Sequence, residues 1–230
     1  MRAVAFNVWS GQRPDDLRDN LLDLVEDAEL PEVLALQECK NFRGTIHGYR
    51  RVALDTGHRE NANTILLVRN TTRILKAKYL RVDGPVWIGP KHGIKHPPRV
   101  FPWIVAQDPG GDIFDIMGIH RTPGGPYPHI KVNAESWAAE DRELAAWFAR
   151  REARAPGRPR VALGDWNNRT IDLRDLSVRD LAKRVGADLR LKGIDGALVV
   201  NATSRRARKL PSLYGSDGHR PVIVTARPKE

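Results

Sequence analysis

Short apolar runs, rich in valine, isoleucine and aromatic residues, recur along the chain between segments of glycine, proline, asparagine and aspartate. Runs of this length that are bounded by turn-forming residues are typical of β-strands. The pattern predicts strands over residues 2–9, 33–37, 64–69, 73–80, 99–106, 113–119, 160–163, 193–200 and 221–226.

A different spacing of apolar residues predicts helices. In residues 15–28, apolar side chains beginning with Leu17 and Leu21 recur every three or four positions and so lie on one helical face. The same spacing predicts a helix over residues 133–153 and a shorter one over 176–185. Many strands with few helices favour an α/β core of two mixed sheets with helices outside. A length of 230 residues fits one such domain, residues 1–230.

Several of these apolar runs end in, or lie beside, residues that suit metal or phosphate chemistry. Such residues are expected where a buried strand contributes its end to a site, and several strand ends can meet at one cleft. The motifs, in chain order, are Ala-Phe-Asn7-Val-Trp, Leu-Ala-Leu-Gln-Glu38, Met-Gly-Ile-His120, Ala-Leu-Gly-Asp165-Trp-Asn167, Gly-Ile-Asp195-Gly-Ala-Leu-Val and Ser-Asp217-Gly-His219-Arg-Pro-Val.

The chain carries a surplus of positive charge. Lys and Arg number 38 against 28 Asp and Glu, which gives a net charge of +10, and 28 of the 38 basic residues are arginine. The surplus favours polyanionic partners, because each neutralised phosphate releases counterions and arginine contacts phosphate bidentately. A genome rich in G and C would also raise the arginine content. We expect nucleic acid, most simply DNA, as the partner.

Composition also excludes several classes of protein. No segment has the ~18 consecutive apolar residues that span a bilayer. The apolar start of the chain is too short for a secretory signal and is predicted to be the first strand. Cys39 is the single cysteine, which excludes an internal disulfide and a thiolate metal cluster. We interpret Cys39 as a packing residue, and this cysteine usage leads us to expect a cytoplasmic location.

A basic loop rich in proline and glycine is predicted over residues 84–98. It carries Lys91, His92, Lys95 and His96. Loops on rigid scaffolds often hold binding residues, so contact with nucleic acid is one interpretation and an ordinary solvated loop is the other. A zinc site at His92 and His96 is disfavoured, because no further ligand lies nearby in the sequence.

Together, the six motifs resemble those of the endonuclease/exonuclease/phosphatase family. This family includes DNase-I-like nucleases, abasic-site endonucleases, and phosphoinositide and sphingomyelin phosphodiesterases. The resemblance extends from Asn7 to His219. It implies a four-layer α/β/β/α sandwich that hydrolyses phosphoesters with Mg²⁺ or Mn²⁺ at the mouth between the sheets.

The resemblance implies three metal-site residues. Glu38 corresponds to the family's principal metal-binding glutamate, a hard oxygen ligand suited to a small divalent cation. Asn7 corresponds to the asparagine that assists the metal or its water. Asp217 matches less well, because Gly218 separates it from His219 where the family has an adjacent pair. A backbone bulge at Gly218 would still let Asp217 face the metal.

The motif Gly-Asp165-Trp-Asn167 is the most specific and resembles the family's Gly-Asp-Phe-Asn. The spacing of two places both polar side chains on one side of a continuing strand, with Trp166 facing the core. A carboxylate in this position can orient or deprotonate the attacking water, and an amide can donate to a phosphate oxygen.

Three further residues complete the predicted catalytic set. His219 resembles the family's general base or phosphate contact, and Asp195 resembles the aspartate that holds it, with an Asp-Gly turn as the alternative. His120 resembles the residue that touches the scissile phosphate or protonates the leaving group, with a structural histidine as the alternative. Candidate phosphate neighbours, on weaker grounds, are Asn63, Arg99 and Arg121.

The sequence thus predicts a metal-dependent phosphodiester hydrolase, with a nuclease acting on DNA as the leading interpretation. A phospholipid or small-molecule phosphodiesterase or phosphatase is the alternative within the same family. A catalytically inactive module that binds nucleic acid is the third interpretation. The inserted Gly218 favours that module, and the intact set of Glu38, Asp165 and Asn167 argues against it.

Overall fold

Two mixed β-sheets lie face to face, and helices cover their outer surfaces. The structure, a computed structural model, describes residues 1–8, 14–39, 42, 45–52, 64–82, 99–122, 131–167, 177–192, 194–204, 207–210 and 219–229. Its strands are β1 (Arg2–Asn7), β2 (Val33–Gln37), β3 (Tyr49–Arg51), β4 (Thr64–Arg69), β5 (Arg73–Val82), β6 (Arg99–Gln107), β7 (Ile113–His120), β8 (Arg160–Asp165), β9 (Asp188–Lys192), β10 (Asp195–Val200), β11 (Ala202–Ser204), β12 (Arg208–Lys209) and β13 (Val222–Pro228). Its helices are α1 (Pro14–Asp27), α2 (Lys131–Arg154) and α3 (Val178–Val185).

Among the described strands, each sheet contains one parallel pair. The first sheet has the order β11-β13-β1-β2-β4-β3, with β12 also paired to β13, and the second has the order β5-β6-β7-β8-β10-β9. Strands β1 and β2 run parallel, as do β7 and β8, and the other neighbours run antiparallel. Helix α1 lies between β1 and β2 in the chain, and α2 between β7 and β8. Both parallel pairs therefore end at a common edge of their sheet.

The alternation of side chains along β1 builds two of the layers. Ala3 and Ala5 belong to the core between the sheets, which the second sheet fills with residues such as Ile116. Val4 and Phe6 point the other way and pack with the apolar face of α1. A strand with both faces covered in this way has a continuous run of apolar residues in its sequence.

The outer face of the second sheet is covered by the other two helices. Trp137 and Leu144 of α2 and Leu181 of α3 pack against it. The layers are therefore helix, sheet, sheet and helix, which confirms the expected α/β/β/α sandwich. Within the described ranges, no helix has both the length and the apolar character that crossing a bilayer requires.

The predicted strands and helices are present, with ends that shift by about two residues at most, within the usual error of such boundaries. The pattern does not predict four short or edge strands, β3, β9, β11 and β12. Strand β9, with the sequence Asp-Leu-Arg-Leu-Lys, has no apolar run and forms by pairing with β10. Residues 9, 176 and 193, at the ends of predicted elements, and the predicted basic loop at 84–98 lie outside the described residues.

Candidate active site

The ends of the two parallel strand pairs bring four of the predicted site residues to one end of the molecule. Asn7 is the last residue of β1, and Glu38 directly follows β2. His120 and Asp165 are the last residues of β7 and β8 and lie opposite each other in register. Because the two sheets stack face to face, their ends meet at the mouth between them.

The side chain of Asn7 connects the two sheets at this mouth. Its Nδ2 donates to Glu38 Oε1 at 3.1 Å and to Asp165 Oδ2 at 3.0 Å. Asn7 and Asp165 are both almost fully buried, at 1% exposure each. A buried amide that bonds to two carboxylates holds both in fixed positions, which a hydrolytic site requires.

Two of the five described non-glycine residues with a positive φ lie at this mouth. Glu38 has a φ of +57° and Asn167 a φ of +49°, both in the left-handed region. This conformation costs a residue other than glycine about 1–3 kcal/mol and persists where the surroundings enforce it. Glu38 directly follows β2, and Asn167 lies two residues after the end of β8, so each sheet contributes one such turn to the mouth.

His219 and Asp195 form the histidine–carboxylate pair that the sequence predicts. Asp195 begins β10 opposite Asp165, and His219 lies just before β13. His219 Nδ1 lies 3.0 Å from Asp195 Oδ2 and 3.3 Å from Oδ1. The alternative of an Asp-Gly turn is wrong, because Gly196 continues the strand.

The other ring nitrogen of His219 faces Asp165. His219 Nε2 lies 4.0 Å from Asp165 Oδ2. Burial alone would lower the pKa of His219, but the hydrogen bond to Asp195 and the charges of Asp195, Asp165 and Glu38 raise it above its ordinary value. An imidazole held in this way by a carboxylate has the arrangement of a general base.

Asp165 is the carboxylate on which the other groups converge. Burial, followed by the charge of Asp195, raises the pKa of Asp165 to about 6, against the opposing effect of His219. His120 Nε2 lies 3.8 Å from Asp165 Oδ2 and 3.9 Å from Glu38 Oε1. A pKa shifted toward neutrality by burial and a specific neighbour is typical of acid–base groups.

Asn167 lies beside Asp165, but not through a continuing strand as the spacing of two predicted, because β8 ends at Asp165 and Asn167 has a left-handed backbone. Its backbone N–H donates to Asp165 Oδ1 at 2.8 Å, and its Nδ2 donates to the carbonyl of Arg121 at 2.9 Å. The amide nitrogen carries a second proton, which can serve a substrate oxygen. Trp166 between them is fully buried and donates to the carbonyl of Gly196, so its predicted place in the core is confirmed.

Gly164 is required for the close pairing of strands behind the site. It has a φ of +152°, and a Cβ at this position would lie 1.9 Å from the carbonyl oxygen of Ile119. Glycine alone allows the backbone of β8 to approach β7 here. Asp165 directly follows Gly164, and His120 directly follows Ile119.

Arg121 does not face the mouth, and the prediction of a phosphate contact is wrong for this residue. Its side chain is fully buried, with Nε 3.0 Å from Glu140 Oε2 and a terminal nitrogen 2.7 Å from Asp141 Oδ1. Its guanidinium also lies 3.7 Å from the centroid of the Trp137 ring. Successive residues leaving a strand point to opposite sides, so Arg121 faces α2 where His120 faces the site.

Glu140 of α2 is a supporting residue that the sequence pattern does not reveal. Besides its ion pair with Arg121, it accepts a hydrogen bond from Thr122 N at 3.1 Å and from Thr122 Oγ1 at 2.6 Å. These bonds fix the backbone immediately after His120. A carboxylate inside a helical stretch gives no sequence signal for such a role, because its partners are distant in the chain.

The remaining predicted substrate and metal residues divide into two groups. Arg99 begins β6 and is half-buried. Burial lowers the pKa of its guanidinium, while the charges of Glu140, Asp165 and Glu38 act in the opposite sense. Arg99 is thus within electrostatic reach of the site and stays a candidate phosphate contact. Asn63 and Asp217, like Gly218, lie outside the described residues.

Cys39 has the environment of a packing residue rather than a nucleophile. It is buried beside Glu38, and burial raises the pKa of its thiol to about 12. The thiolate is the nucleophilic form of cysteine, and at neutral pH this thiol is protonated.

The donor atoms at the mouth suit a hard divalent cation. The carboxylates of Glu38 and Asp165 and the amide of Asn7 are oxygen-bearing groups of the kind that Mg²⁺ and Mn²⁺ prefer. A cation near Asp165 would favour its ionised form, which burial otherwise disfavours. Asp165, Asp195 and His219 also place one ligand atom each within 4.8 Å of one another. The residues present therefore fit a divalent metal.

Comparison with solved structures gives the same fold. An endonuclease/exonuclease/phosphatase from Bacteroides vulgatus superposes with a TM-score of 0.65 at 17% identity, covering 99% of this chain and 98% of that one. A mannosyl-6-phosphatase from Bacteroides thetaiotaomicron gives 0.64 at 14% identity, covering 99% of each chain. An AP endonuclease from Leishmania major gives 0.64 at 14% identity, covering 99% of this chain and 88% of that one. Identities this low show a common fold alone.

The sequence was also compared with family models and with curated proteins. No curated protein matches it. The model of the Endonuclease/Exonuclease/phosphatase family matches residues 4–217, which include five of the six motifs and both parallel strand pairs except the first two residues of β1. With its two stacked sheets and the convergence of Asn7, Glu38 and Asp165 at their mouth, the chain belongs to the endonuclease/exonuclease/phosphatase family of hydrolases.

Proposed function

We propose that this protein is a divalent-metal-dependent phosphodiesterase that acts on nucleic acid, most simply a DNA nuclease. The observation that carries the proposal is the double hydrogen bond of Asn7 to Glu38 and Asp165, with the His219–Asp195 pair on the other side of Asp165. A candidate metal ligand and a candidate general base thereby share one carboxylate.

Glu38 and Asn7 are the residues that would hold the metal, with Asp217 as a further ligand from outside the described residues. Mg²⁺ or Mn²⁺, when bound, supplies Lewis-acid polarisation of a phosphate oxygen. Glu38 suits this role because its side chain is 29% exposed, in contrast to the buried Asp165. It can thus reach both the site and the substrate.

The protein's own groups supply the proton transfers. Asp195 holds the Nδ1 proton of His219, which leaves Nε2 free of a proton and able to accept one from water. Asp165 orients that water. The water oxygen forms a new bond to phosphorus as the bond between phosphorus and the ester oxygen breaks. We assign His120 to protonating the departing oxygen or, with Asn167, to donating to the charged phosphate oxygens. No covalent intermediate is needed.

The choice of nucleic acid rests on charge. The net charge is +10, and Arg99 lies within electrostatic reach of the site carboxylates. Positively charged surfaces attract polyphosphates strongly, whereas a small phosphate ester needs only a local contact. The fold alone does not favour one substrate, since an AP endonuclease and a mannosyl-6-phosphatase both share it.

The test is hydrolysis of plasmid, single-stranded DNA, RNA, bis(p-nitrophenyl) phosphate and a sugar phosphate, each with Mg²⁺ or with EDTA. We expect cleavage of DNA that EDTA abolishes. Hydrolysis of the sugar phosphate alone would instead identify a phosphatase. Binding of DNA without turnover of any substrate would identify an inactive module. Either result would overturn the proposal.

Three variants test the assigned residues. Glu38→Gln, Asp165→Asn and His219→Gln each replace one group by a similar shape, and we expect turnover to fall at least about 10²-fold in each. Asp112→Asn is the matched control, because Asp112 is exposed in the turn before β7, at the opposite end of the sheet. Near-normal turnover in any of the three, with the thermal unfolding curve unchanged, would remove that residue from the mechanism.

A further inference from the structure

Strand β5 forms a long basic edge on the second sheet. It is the terminal strand of that sheet and has the sequence Arg-Ile-Leu-Lys-Ala-Lys-Tyr-Leu-Arg-Val, with four basic residues and no acidic one. Arg73, Lys78 and Arg81 are exposed and Lys76 is half-buried. At about 3.3 Å per residue, the strand extends its positive charge over roughly 30 Å.

The same edge exposes apolar groups beside the charges. Tyr79 is 39% exposed and Leu75 is 43% exposed, and with Leu30 they are the exposed large apolar residues of the described chain. Within the ranges that the structure describes, Arg73, Lys76 and Lys78 have no carboxylate at ion-pair distance. Side chains alternate along β5, so Lys76 and Lys78 lie on the same face as the buried Leu80, and Tyr79 lies on the other face. A nucleic-acid strand that runs along this edge would meet cations on one side and an aromatic ring on the other, a combination that binds single strands by charge and stacking.

The strand leads toward the active site. Its last residue, Val82, pairs with Arg99 at the start of β6. Because β6 runs antiparallel to β7, the start of β6 lies at the end of the sheet where His120 is found. Arg99 in turn is within electrostatic reach of Asp165 and Glu38. Positive charge thus continues from the far end of β5 to the mouth of the site.

We propose that β5 is the binding surface for the nucleic-acid strand beyond the scissile phosphate, with Arg73, Lys76 and Lys78 contacting phosphates and Tyr79 stacking on a base. This inference rests on the proposed function and makes the substrate a polynucleotide rather than a small ester. A strip of roughly 30 Å spans several phosphates of one strand, which are about 3.4 Å apart along a duplex axis. A small phosphate ester would occupy only the mouth.

Edge strands also carry lysines for another reason, because charge on an edge prevents pairing with other chains. The two roles differ in what a charge reversal does. Glutamate on the edge still prevents pairing, but it repels phosphate. Replacing the lysines of β5 by glutamate therefore leaves solubility unchanged. If β5 contacts the substrate, the same change weakens nucleic-acid binding.

The test compares Lys76→Glu/Lys78→Glu with Arg150→Glu/Arg154→Glu. The control makes the same change in net charge in the last turns of α2, where both arginines are exposed and lie at the end of the molecule opposite the site. Binding of a fluorescent 30-nucleotide single strand is measured by anisotropy in EDTA at several salt concentrations. We expect the β5 variant to raise Kd at least tenfold, with a shallower salt dependence, and the control to change Kd less than about threefold.

Two further measurements separate binding from chemistry. Turnover of bis(p-nitrophenyl) phosphate with Mg²⁺ is expected to be the same in the β5 variant and the parent. Tyr79→Ala is expected to lower single-strand affinity at least about fivefold, while Tyr79→Phe, which keeps the ring, retains it.

Equal losses of affinity in the β5 variant and the control would attribute binding to net charge and overturn the inference. Unchanged affinity in the β5 variant, or stronger binding of the parent to vesicles of phosphatidylserine than to the oligonucleotide, would do the same. The proposed function fails separately, if the parent shows no EDTA-sensitive cleavage of nucleic acid, and that result is read before any variant is compared.

Discussion

Replacing Asp195 with asparagine tests most directly how His219 works. The substitution keeps the shape of the side chain and removes its charge at a distance of 3.0 Å from His219 Nδ1. A carboxylate can only accept the Nδ1 proton, whereas an amide can also donate. Donation to Nδ1 would move the ring proton to Nε2, which then could not accept a proton from water.

The expected cost is large. A hydrogen bond to a charged acceptor is roughly twice as strong as a neutral one, and loss of the correct tautomer in serine proteases lowers kcat about 10⁴-fold. We expect kcat of Asp195→Asn to fall about 10³–10⁴-fold, which corresponds to about 4–5.5 kcal/mol in the barrier. Stability is expected to change by less than about 1 kcal/mol, because the charge of Asp195 also raises the pKa of the buried Asp165 and its removal relieves that repulsion.

The pH dependence gives a second measurement. His219 must be neutral to accept a proton, so activity falls as the pH drops below its raised pKa. Without the charge of Asp195 the pKa values of both His219 and Asp165 decrease, and the acid limb of the kcat/KM profile shifts to lower pH. The assay is kcat and KM on bis(p-nitrophenyl) phosphate between about pH 5 and 9, beside a thermal unfolding curve. A kcat within tenfold of the parent, or an acid limb that does not move, would refute the role of the pair.

Three further substitutions follow from buried contacts. Asp115→Asn is expected to lower the free energy of unfolding by about 3–5 kcal/mol and Tm by roughly 6–20 °C, because the buried Asp115 accepts two bonds of 2.9 Å from Arg151 and its loss leaves a buried charge uncompensated. Gly164→Ala is expected to prevent normal folding, since the new Cβ would overlap the Ile119 carbonyl, and circular dichroism with a solubility assay checks this. Glu140→Gln is expected to lower kcat up to about 10²-fold with little change in KM, because the backbone that positions His120 loosens, and steady-state kinetics measures it.

Two controls accompany these substitutions. Glu143→Gln breaks an exposed ion pair with Arg150 at 3.7 Å and should change stability by less than about 0.5 kcal/mol. Gly157→Ala also places a side chain at a positive φ, +72°, but a Cβ there meets nothing within 4 Å. If the Gly157 and Gly164 substitutions impair folding equally, the positive φ, and not the contact with β7, is the cause of the folding defect. A KM that rises while kcat holds in Glu140→Gln would assign that residue to substrate binding.

The sequence predicted the fold and most of the residues that the structure brings together at the candidate site, because both depend on local patterns. Buried strands are continuous apolar runs, and the residue types at their ends differ from everything within them, so Glu38 and Asp165 stand out. Strand β9 was missed because it has no apolar run, although its alternation of polar and apolar residues is typical of a half-buried strand, and Leu189 and Leu191 do pack on the core. Arg121 was open to correction from the sequence itself, because the period of two already places it on the face opposite His120. The role of Glu140 could not be predicted from the sequence, since its contacts join a helix to a strand end that lies 18 residues away in the chain.

The bond between Asn7 and Asp165 links a residue of the first sheet to one of the second, so it exists only after the sheets have docked. A partly folded chain with both sheets formed but separate would have native-like secondary structure and no working centre. During refolding, the return of turnover therefore times the final docking step. Fluorescence from the Trp103–Trp147 contact, which joins β6 to α2 on the outer side of the second sheet, reports the packing of that helix and not the docking of the two sheets.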